Sequence, residues 1–505
     1  MEDFEIMRFI KKIMLHLFFV SLGFVFVFIS STEAQNKPKV YTFNFNEIDS
    51  LVNLVIPDKY RVFWDDIIRA KKNGKTSEEI IAITKKKHGI GIDDYESVLK
   101  NMGIKNRFIA YVMDCMLNKK PVMQMLFKGA LTPPKGTAQY DDVIEAVLPG
   151  VDRILKKYKD KFRFKTVIYA GGILGDEPDY IRKIKLDEIQ WAGGTISLAE
   201  MVEPAISVYD LPFLFDYEPE LYYDKHENCQ IDWILDKSAP TINRLLDKKG
   251  FILMALADGG SWECIATKRA PILKAEDLSK YTFFMFPQSR IAGEINKALN
   301  FKKTLVCKIW DVPSVAATGM LDSLVCCWYW HIIVQVTPYY KYVTDYPIRG
   351  FLAACGIVQK KMLYDMVNLG KNFGPMMGMD KDEMLRIARN MLFSFTDGVK
   401  GVLRRNLRVK EGEARRRLIE SGIYKMVKLP EAELNKIRNK ILPLYSKLAD
   451  QNGMYPKWFL DEVLKYREEY RKFKKDGKLT KKWYKKCIYP DGFDPYKWTR
   501  VWNIK

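Results

Sequence analysis

The sequence predicts an α/β protein built from more than one folding unit, and three observations carry that prediction. The chain has 505 residues, too many for one compact core. Its apolar content of 48% is that of a globular protein. Helical and strand-like patterns alternate through its middle, the signature of helices packed on sheets.

The first residues read as an export signal. Arg8, Lys11 and Lys12 form a positive region, and Ile13–Ile29 is a run of 17 mostly apolar residues broken by His16, Ser21 and Gly23. Thr32 and Ala34 then supply the small residues of a cleavage site before Gln35. Met7 offers an alternative start with a cleaner basic region. The rival reading is an uncleaved anchor, since 17 residues is near the lower limit for spanning a bilayer. No cysteine follows the apolar run, which argues against a lipoprotein. Residues 1–34 are therefore expected to be a signal peptide or an anchor.

Residues 35–121 read as a helical extension. Asp58 precedes a segment with apolar Phe63, Ile67 and Ile68. Ser77, with Glu78 and Glu79 behind it, is expected to cap a second helix. Asp93–Gly103 and Asn106–Leu117 give two more. Gly74-Lys75-Thr76 looks like the end of a phosphate-binding loop, but Arg69 stands where the first glycine belongs, and a P-loop is rejected.

From Val122 the pattern changes. Val122–Leu131 and Phe162–Tyr169 read as strands around a helix from about Tyr140 to Lys157, a βαβ unit. Phe251–Leu256, Tyr281–Phe286 and Gly356–Gln359 read as further strands, and Ile291–Leu299 and Val312–Met320 as helices. Leu321–Val336 is strongly apolar and reads as a buried strand plus turn. Beyond Lys381 the chain is helical and basic, and Arg471–Lys486 reads as a solvated tail, with an anionic membrane surface as the weaker reading.

The formal charge of +20 raises the question of nucleic acid. Lysine is spread along the whole chain and no zinc-finger spacing or other nucleic-acid motif accompanies it, so the charge reads as a solvated surface. The eight cysteines form no C-x-x-C pair, which disfavours a metal site; buried thiols are expected. Gly171-Gly172-x-x-Gly175 is not the G-x-G-x-x-G of a dinucleotide fold, and no cofactor is expected. No Ser-His-Asp or Cys-His arrangement is evident, and His331, next to Cys326 and Cys327 in an apolar run, reads as a core histidine.

Five segments occur in a telling order: Gly171–Glu177 (GGILGDE), Asp210–Phe215 (DLPFLF), Lys268–Leu278 (KRAPILKAEDL), Trp310–Asp322 (WDVPSVAATGMLD) and Gly356–Met362 (GIVQKKM). Together they resemble the DctP-type substrate-binding receptors of tripartite ATP-independent periplasmic (TRAP) transporters, over about Val122 to Lys465. Each segment also has a local reading. The glycines of GGILGDE permit a tight turn, and Asp176 and Glu177 suit a helix N-terminus. In DLPFLF, Leu211, Phe213 and Leu214 supply packing and Pro212 the turn.

The resemblance implies a two-lobed, periplasmic binding protein-like α/β fold, its hinged lobes each a β-sheet flanked by helices, with helical N- and C-terminal extensions. One lobe is expected from about Val122–Leu256 plus a return segment near Ile348–Met376, the other from about Ala257–Tyr346 plus part of the C-terminal helices. The domain order is then signal or anchor 1–34, helical extension 35–121, solute-binding domain 122–466 and basic tail 467–505. It implies a periplasmic receptor that closes on a small organic molecule and passes it to the membrane components of a TRAP transporter, without enzymatic chemistry. The helical extension is not explained by the resemblance; a lid, a docking piece and an oligomerisation element remain open.

The chain departs from the family where the ligand is clamped. The resemblance implies an arginine on the strand after the EDL segment, suited to a substrate carboxylate. Phe284, or Phe283 after a slip of one, stands there. Trp262 and Glu263 replace a second arginine. An aromatic and acidic lining (Trp262, Glu263, Phe284, Trp328, Trp330, with Glu177 nearby) suits a neutral or cationic ligand, or one with an aromatic or apolar body, while Arg290 offers a displaced anion clamp that keeps a carboxylate open. The alternative is an envelope protein, ligand-sensing or structural, that kept the fold and lost the carboxylate site.

Overall fold

The computed structural model describes residues 38–52, 55–287, 289–344, 348, 350–451 and 453–497. The export-signal expectation lies outside them. The chain divides into two compact units, a smaller one formed mainly by 56–124 and a larger one that holds most of the remainder.

The smaller unit is a set of four helices, Asp58–Lys72, Ser77–His88, Ile92–Asn101 and Asn106–Met116. Phe63, Trp64, Ile67, Ile80, Tyr95, Leu99 and Tyr111 fill its interior. The cap of the second helix is Thr76 rather than Ser77. The Thr76 hydroxyl accepts from the Glu79 N–H at 3.3 Å, and the Glu79 carboxylate accepts from the Thr76 N–H at 2.8 Å. This reciprocal pairing satisfies two donors where a cap at Ser77 would satisfy one.

The described residues form two sheets, most of whose strand residues belong to the larger unit. The first has the order β1-β2-β4-β11-β5, with β3 paired to β2. Its strands are β1 (Val40–Asn44), β2 (Val122–Leu131), β3 (Phe162–Ala170), β4 (Trp191–Thr195), β5 (Phe251–Trp262) and β11 (Phe351–Gln359). β2 and β4 are parallel, and β11 runs antiparallel to both β4 and β5. The second sheet, β12-β10-β6-β9-β7-β8, is built from β6 (Cys264–Thr267), β7 (Thr282–Met285), β8 (Lys303–Val306), β9 (Ser323–Cys326), β10 (Tyr342–Thr344) and β12 (Lys425–Val427). Each sheet is flanked by helices, giving the expected pair of lobes.

The chain passes from the first sheet to the second at Glu263, between β5 and β6, and returns between β10 and β11. The Glu263 N–H donates to the Gly350 carbonyl at 2.9 Å, so the two crossings are tied together. The lobe boundary therefore lies at Glu263, six residues beyond the expected Leu256/Ala257 junction, because β5 continues to Trp262. A third element, helix Arg404–Glu420, packs against both β5 and the helix Trp328–Ile333 that follows β9.

Three further expectations are corrected. Residues 35–121 are not wholly helical, since Val40–Asn44 is a strand of the first sheet. Leu321–Val336 holds a strand and then a helix, Trp328–Ile333, rather than a strand and turn; a run buried on all sides carries no periodicity to separate them. The basic tail is not merely solvated. Tyr470, Trp483 and Tyr489 pack around Trp233 of helix Gln230–Asp247, and Asn228 donates its amide hydrogen to the Trp483 carbonyl. The lysines of 471–486 face water while the aromatic residues between and beyond them anchor the segment.

Candidate functional site: the interlobe cleft

Two cavities of about 40 and 20 Å³ lie between the two lobes, and a third of about 80 Å³ lies between the first sheet and the helical segments 138–147 and 381–403. Thr195, at the end of β4, lines all three. The 80 Å³ cavity is largely apolar, with Trp191, Met254, Phe395 and Trp330 on its walls. The 40 Å³ cavity is more polar. Thr195, Ser197 and Asp210 face it from the first lobe, Phe284, Phe286 and Ser289 from the second, and Glu263 from the crossing itself. The 20 Å³ cavity lies beside Thr132, Asp176, Glu177, Lys308 and Trp330. Ligand pockets are usually about 300–1,000 Å³, and each of these cavities is smaller.

Phe284 and Glu263 thus come together on one cavity. The register of β7 decides between the two phenylalanines. Side chains of a strand alternate faces, and Phe283 points into the core, where it stacks on Phe301 with ring centroids 3.7 Å apart. Phe284 points to the cleft and meets Phe286 edge-on at 4.7 Å.

Glu177 follows the glycine turn, where Gly171, Gly172 and Gly175 all have positive φ. Asp176 is the N-cap of the helix Glu177–Lys185, and its N–H donates to the Asp179 carboxylate at 3.2 Å. The Glu177 carboxylate accepts from the Thr195 N–H at 2.6 Å, from the Thr195 hydroxyl at 2.8 Å and from the Thr132 hydroxyl at 3.3 Å. It is committed to shaping the cleft wall.

Arg290, on the second lobe, is tied to the first. Its N–H donates to Glu200 at 3.2 Å, its Nε lies 3.7 Å from the same carboxylate, and its Nη1 donates to the Gly453 carbonyl at 3.2 Å. Trp262 and Trp328 are placed in the core instead of on the cleft. Trp262 is enclosed by Tyr217, Tyr222, Tyr223 and Phe351, and Trp328 is 1% exposed with the Arg415 guanidinium over its ring. Trp330 is the tryptophan that reaches the cleft, its Nε1 donating to the Gly259 carbonyl at 2.8 Å.

Sequence reasoning missed Asp210, Ser289 and Thr195. The Ser289 hydroxyl donates to Asp210 at 3.2 Å across the lobes. Asp210 opens the DLPFLF segment, which reads locally as packing; its position before a proline turn was the available signal. Burial, with Asp210 nearby, holds the Glu200 carboxyl well above its usual range, and burial raises Asp176 as well.

Residues 154–306 match the family model of the bacterial extracellular solute-binding protein, family 7, DctP. The fold agrees over a longer stretch. A sugar acid binding protein from Advenella mimigardefordensis, solved with galactonate, aligns over 69% of this chain and 99% of its own, at 16% identity and a TM-score of 0.54. A TRAP periplasmic solute binding protein from Shewanella oneidensis, solved with succinate, aligns over 68% and 99% at 13% identity and a TM-score of 0.53. One from Xanthobacter autotrophicus, solved with β-D-galacturonate, aligns over 68% and 99% at 17% identity and a TM-score of 0.52.

The chain has the DctP fold. No curated protein matches it in sequence. DctP is a family of binding proteins rather than enzymes, and an extracellular one. Among the described residues no helix is long and apolar enough to cross a membrane.

Proposed function

We propose that this protein is an extracytoplasmic solute-binding receptor of the TRAP type, whose lobes close on a small organic molecule carrying positive charge or none. The carrying observation is the 40 Å³ cavity, where Asp210 and Glu263 face Phe284 and Phe286 across the lobe boundary. Aromatic rings in place of a guanidinium on β7 suit a solute whose body is apolar or cationic. The solved relatives named above hold galactonate, succinate and galacturonate. In this chain a phenylalanine stands where the resemblance places the clamping arginine, and Arg290 already serves Glu200 and Gly453.

In this reading residues 122–466 form the solute-binding domain, 35–121 and 467–505 are additions to it, and residues 1–34 direct export to the periplasm. Delivery goes to the membrane components of a secondary transporter, and no bond is made or broken. Ligand binding shifts the population of closed lobes, which the transporter recognises.

Thermal stabilisation tests both parts, because a ligand at a thousandfold excess over its Kd adds about 4 kcal/mol. Amines, polyamines and neutral polyols are expected to raise the melting temperature, and sugar acids and succinate to leave it unchanged. Stabilisation by the acids alone refutes the charge assignment but keeps the receptor. A melting temperature unmoved by every compound refutes the receptor and favours a protein that kept the fold without the site.

A further inference from the structure

The largest of the four cavities described here lies outside the cleft. It measures about 270 Å³ and is enclosed by the loop at Lys225–Asn228, the start of helix Arg404–Glu420 and the tail at Tyr484–Cys487. A water needs roughly 10–15 Å³, so this space admits a multi-atom ligand. Its lining is strongly basic.

The floor is close to neutral. Lys400, Arg404 and Arg408, with side chains at most 2% exposed, are matched by Asp232, Asp236 and Asp258. Arg404 pairs with Asp232 at 2.5 Å through Nη1 and lies 3.8 Å from Asp258 through Nε, but neither nitrogen makes a well-directed hydrogen bond among the described residues. The rim is not neutral. Arg405, Lys485 and Lys486 line the cavity with no acidic partner among the described residues. Lys225 is paired with Glu220 at 2.6 Å, and Glu227 is the acidic side chain on the wall. Gly401 opens one side, where an added Cβ would meet nothing within 4 Å.

We propose that this cavity is a second binding site, for a phosphate-bearing anion. Several convergent cations, two of them lysine ammonium groups and one an unpaired guanidinium, match the multiple charge and spread oxygens of a phosphate group. The site is formed only because the tail folds back, which gives the tail a role apart from the cleft. It does not depend on the receptor reading. A soluble phosphate ester and the phosphate of a lipid headgroup present the same chemistry.

The probe is inorganic pyrophosphate, titrated calorimetrically into the full chain at 150 mM salt. Saturable binding is expected. Lys485→Glu with Lys486→Glu should weaken it about tenfold, and Gly401→Met should abolish it by filling the space. Both variants should keep the wild-type melting temperature. Lys302→Glu with Lys303→Glu, the same charge change on exposed lysines elsewhere, should change nothing. Vesicles of phosphatidylglycerol, compared with phosphatidylcholine, separate the sources. Pyrophosphate-displaceable capture by the anionic vesicles supports a headgroup, and saturable binding without such capture supports a soluble ester. Absence of saturable binding, indifference to Gly401→Met, or equal weakening by the control pair overturns the proposal.

Discussion

Glu177 grips Thr195 twice, by its backbone N–H at 2.6 Å and its hydroxyl at 2.8 Å, and so fastens the glycine turn after β3 to the end of β4. The grip needs the neighbouring glycine, because a Cβ on Gly194 would stand 2.3 Å from the Glu177 carboxylate oxygen. Glu177→Ala is expected to leave buried donors unpaired and cost about 1–3 kcal/mol. Gly194→Ala should be destabilising for the same wall. Chemical denaturation midpoints of the two variants check this; a neutral Glu177→Ala contradicts it.

Phe284 occupies the cleft face of β7, so Phe284→Arg introduces a guanidinium beside Asp210 and Glu263. The variant is expected to lose stabilisation by amines and to gain it from monocarboxylates. Phe283→Arg, placed in the core against Phe301, should instead unfold the lobe. Thermal shifts of both variants against the same solutes decide the point.

Glu411 sits on the bridging helix. It accepts from the Ser261 hydroxyl at 2.8 Å and from the Tyr329 N–H at 3.3 Å, and burial pushes its pKa up to about 8 from the usual 4.5. The folded-state value lies above the unfolded one. Its contribution is therefore fully present below about pH 4.5 and is lost as the pH rises through 8. A tenfold difference in proton affinity between the folded and unfolded chain is worth about 1.4 kcal/mol. Glu411→Gln, which keeps a carbonyl acceptor, should melt at a temperature that falls less between pH 5 and pH 9 than the wild type's. Parallel curves for the two proteins would remove Glu411 as the cause.

Arg408 joins Asp232 of helix Gln230–Asp247 at 2.9 Å to Asp258 of β5 at 2.8 Å, with all three side chains at most 1% exposed. Removing one member of a buried ion network leaves charge without compensation. Arg408→Met is expected to cost about 3–5 kcal/mol, read as a lower denaturant midpoint. Restoring neutrality with Asp258→Asn in the same chain should recover part of the loss.

Trp483 is fully buried against Trp233 and Tyr470. Trp483→Ala should cost about 3–5 kcal/mol of tail docking and expose the lysine-rich segment to trypsin. Limited proteolysis followed by mass spectrometry reads this directly. Unchanged resistance would mean the tail holds through other contacts.

Much of the architecture is legible in the residues alone. Val122–Leu131 is a strand with the expected ends, because an apolar run bounded by Lys-Pro and Thr-Pro-Pro has few alternatives. The ordered segments point to the DctP body, and its two sheets are present. The cleft is harder to read. Glu263 and Phe284 line it, whereas Trp262 and Trp328 lie in the core. Adjacent residues of a strand face opposite ways, and composition cannot say which face meets the other lobe. The tail misleads a local reading because its lysines are contiguous while Trp483, Tyr489 and Phe493 are scattered, and the charge run dominates.

By itself, the amino-acid order determined where chain direction changes, which segments are apolar enough to be buried, and which relatives share the plan. All of these rest on neighbours within a few positions. Only the tertiary structure decided which polar groups meet, such as Asp210 with Ser289 across the lobes, and which charges cancel, such as Arg408 with Asp232. Those pairs are 79 and 176 residues apart along the chain. Their energies depend on distance and burial, which exist only once the sheets have closed on one another.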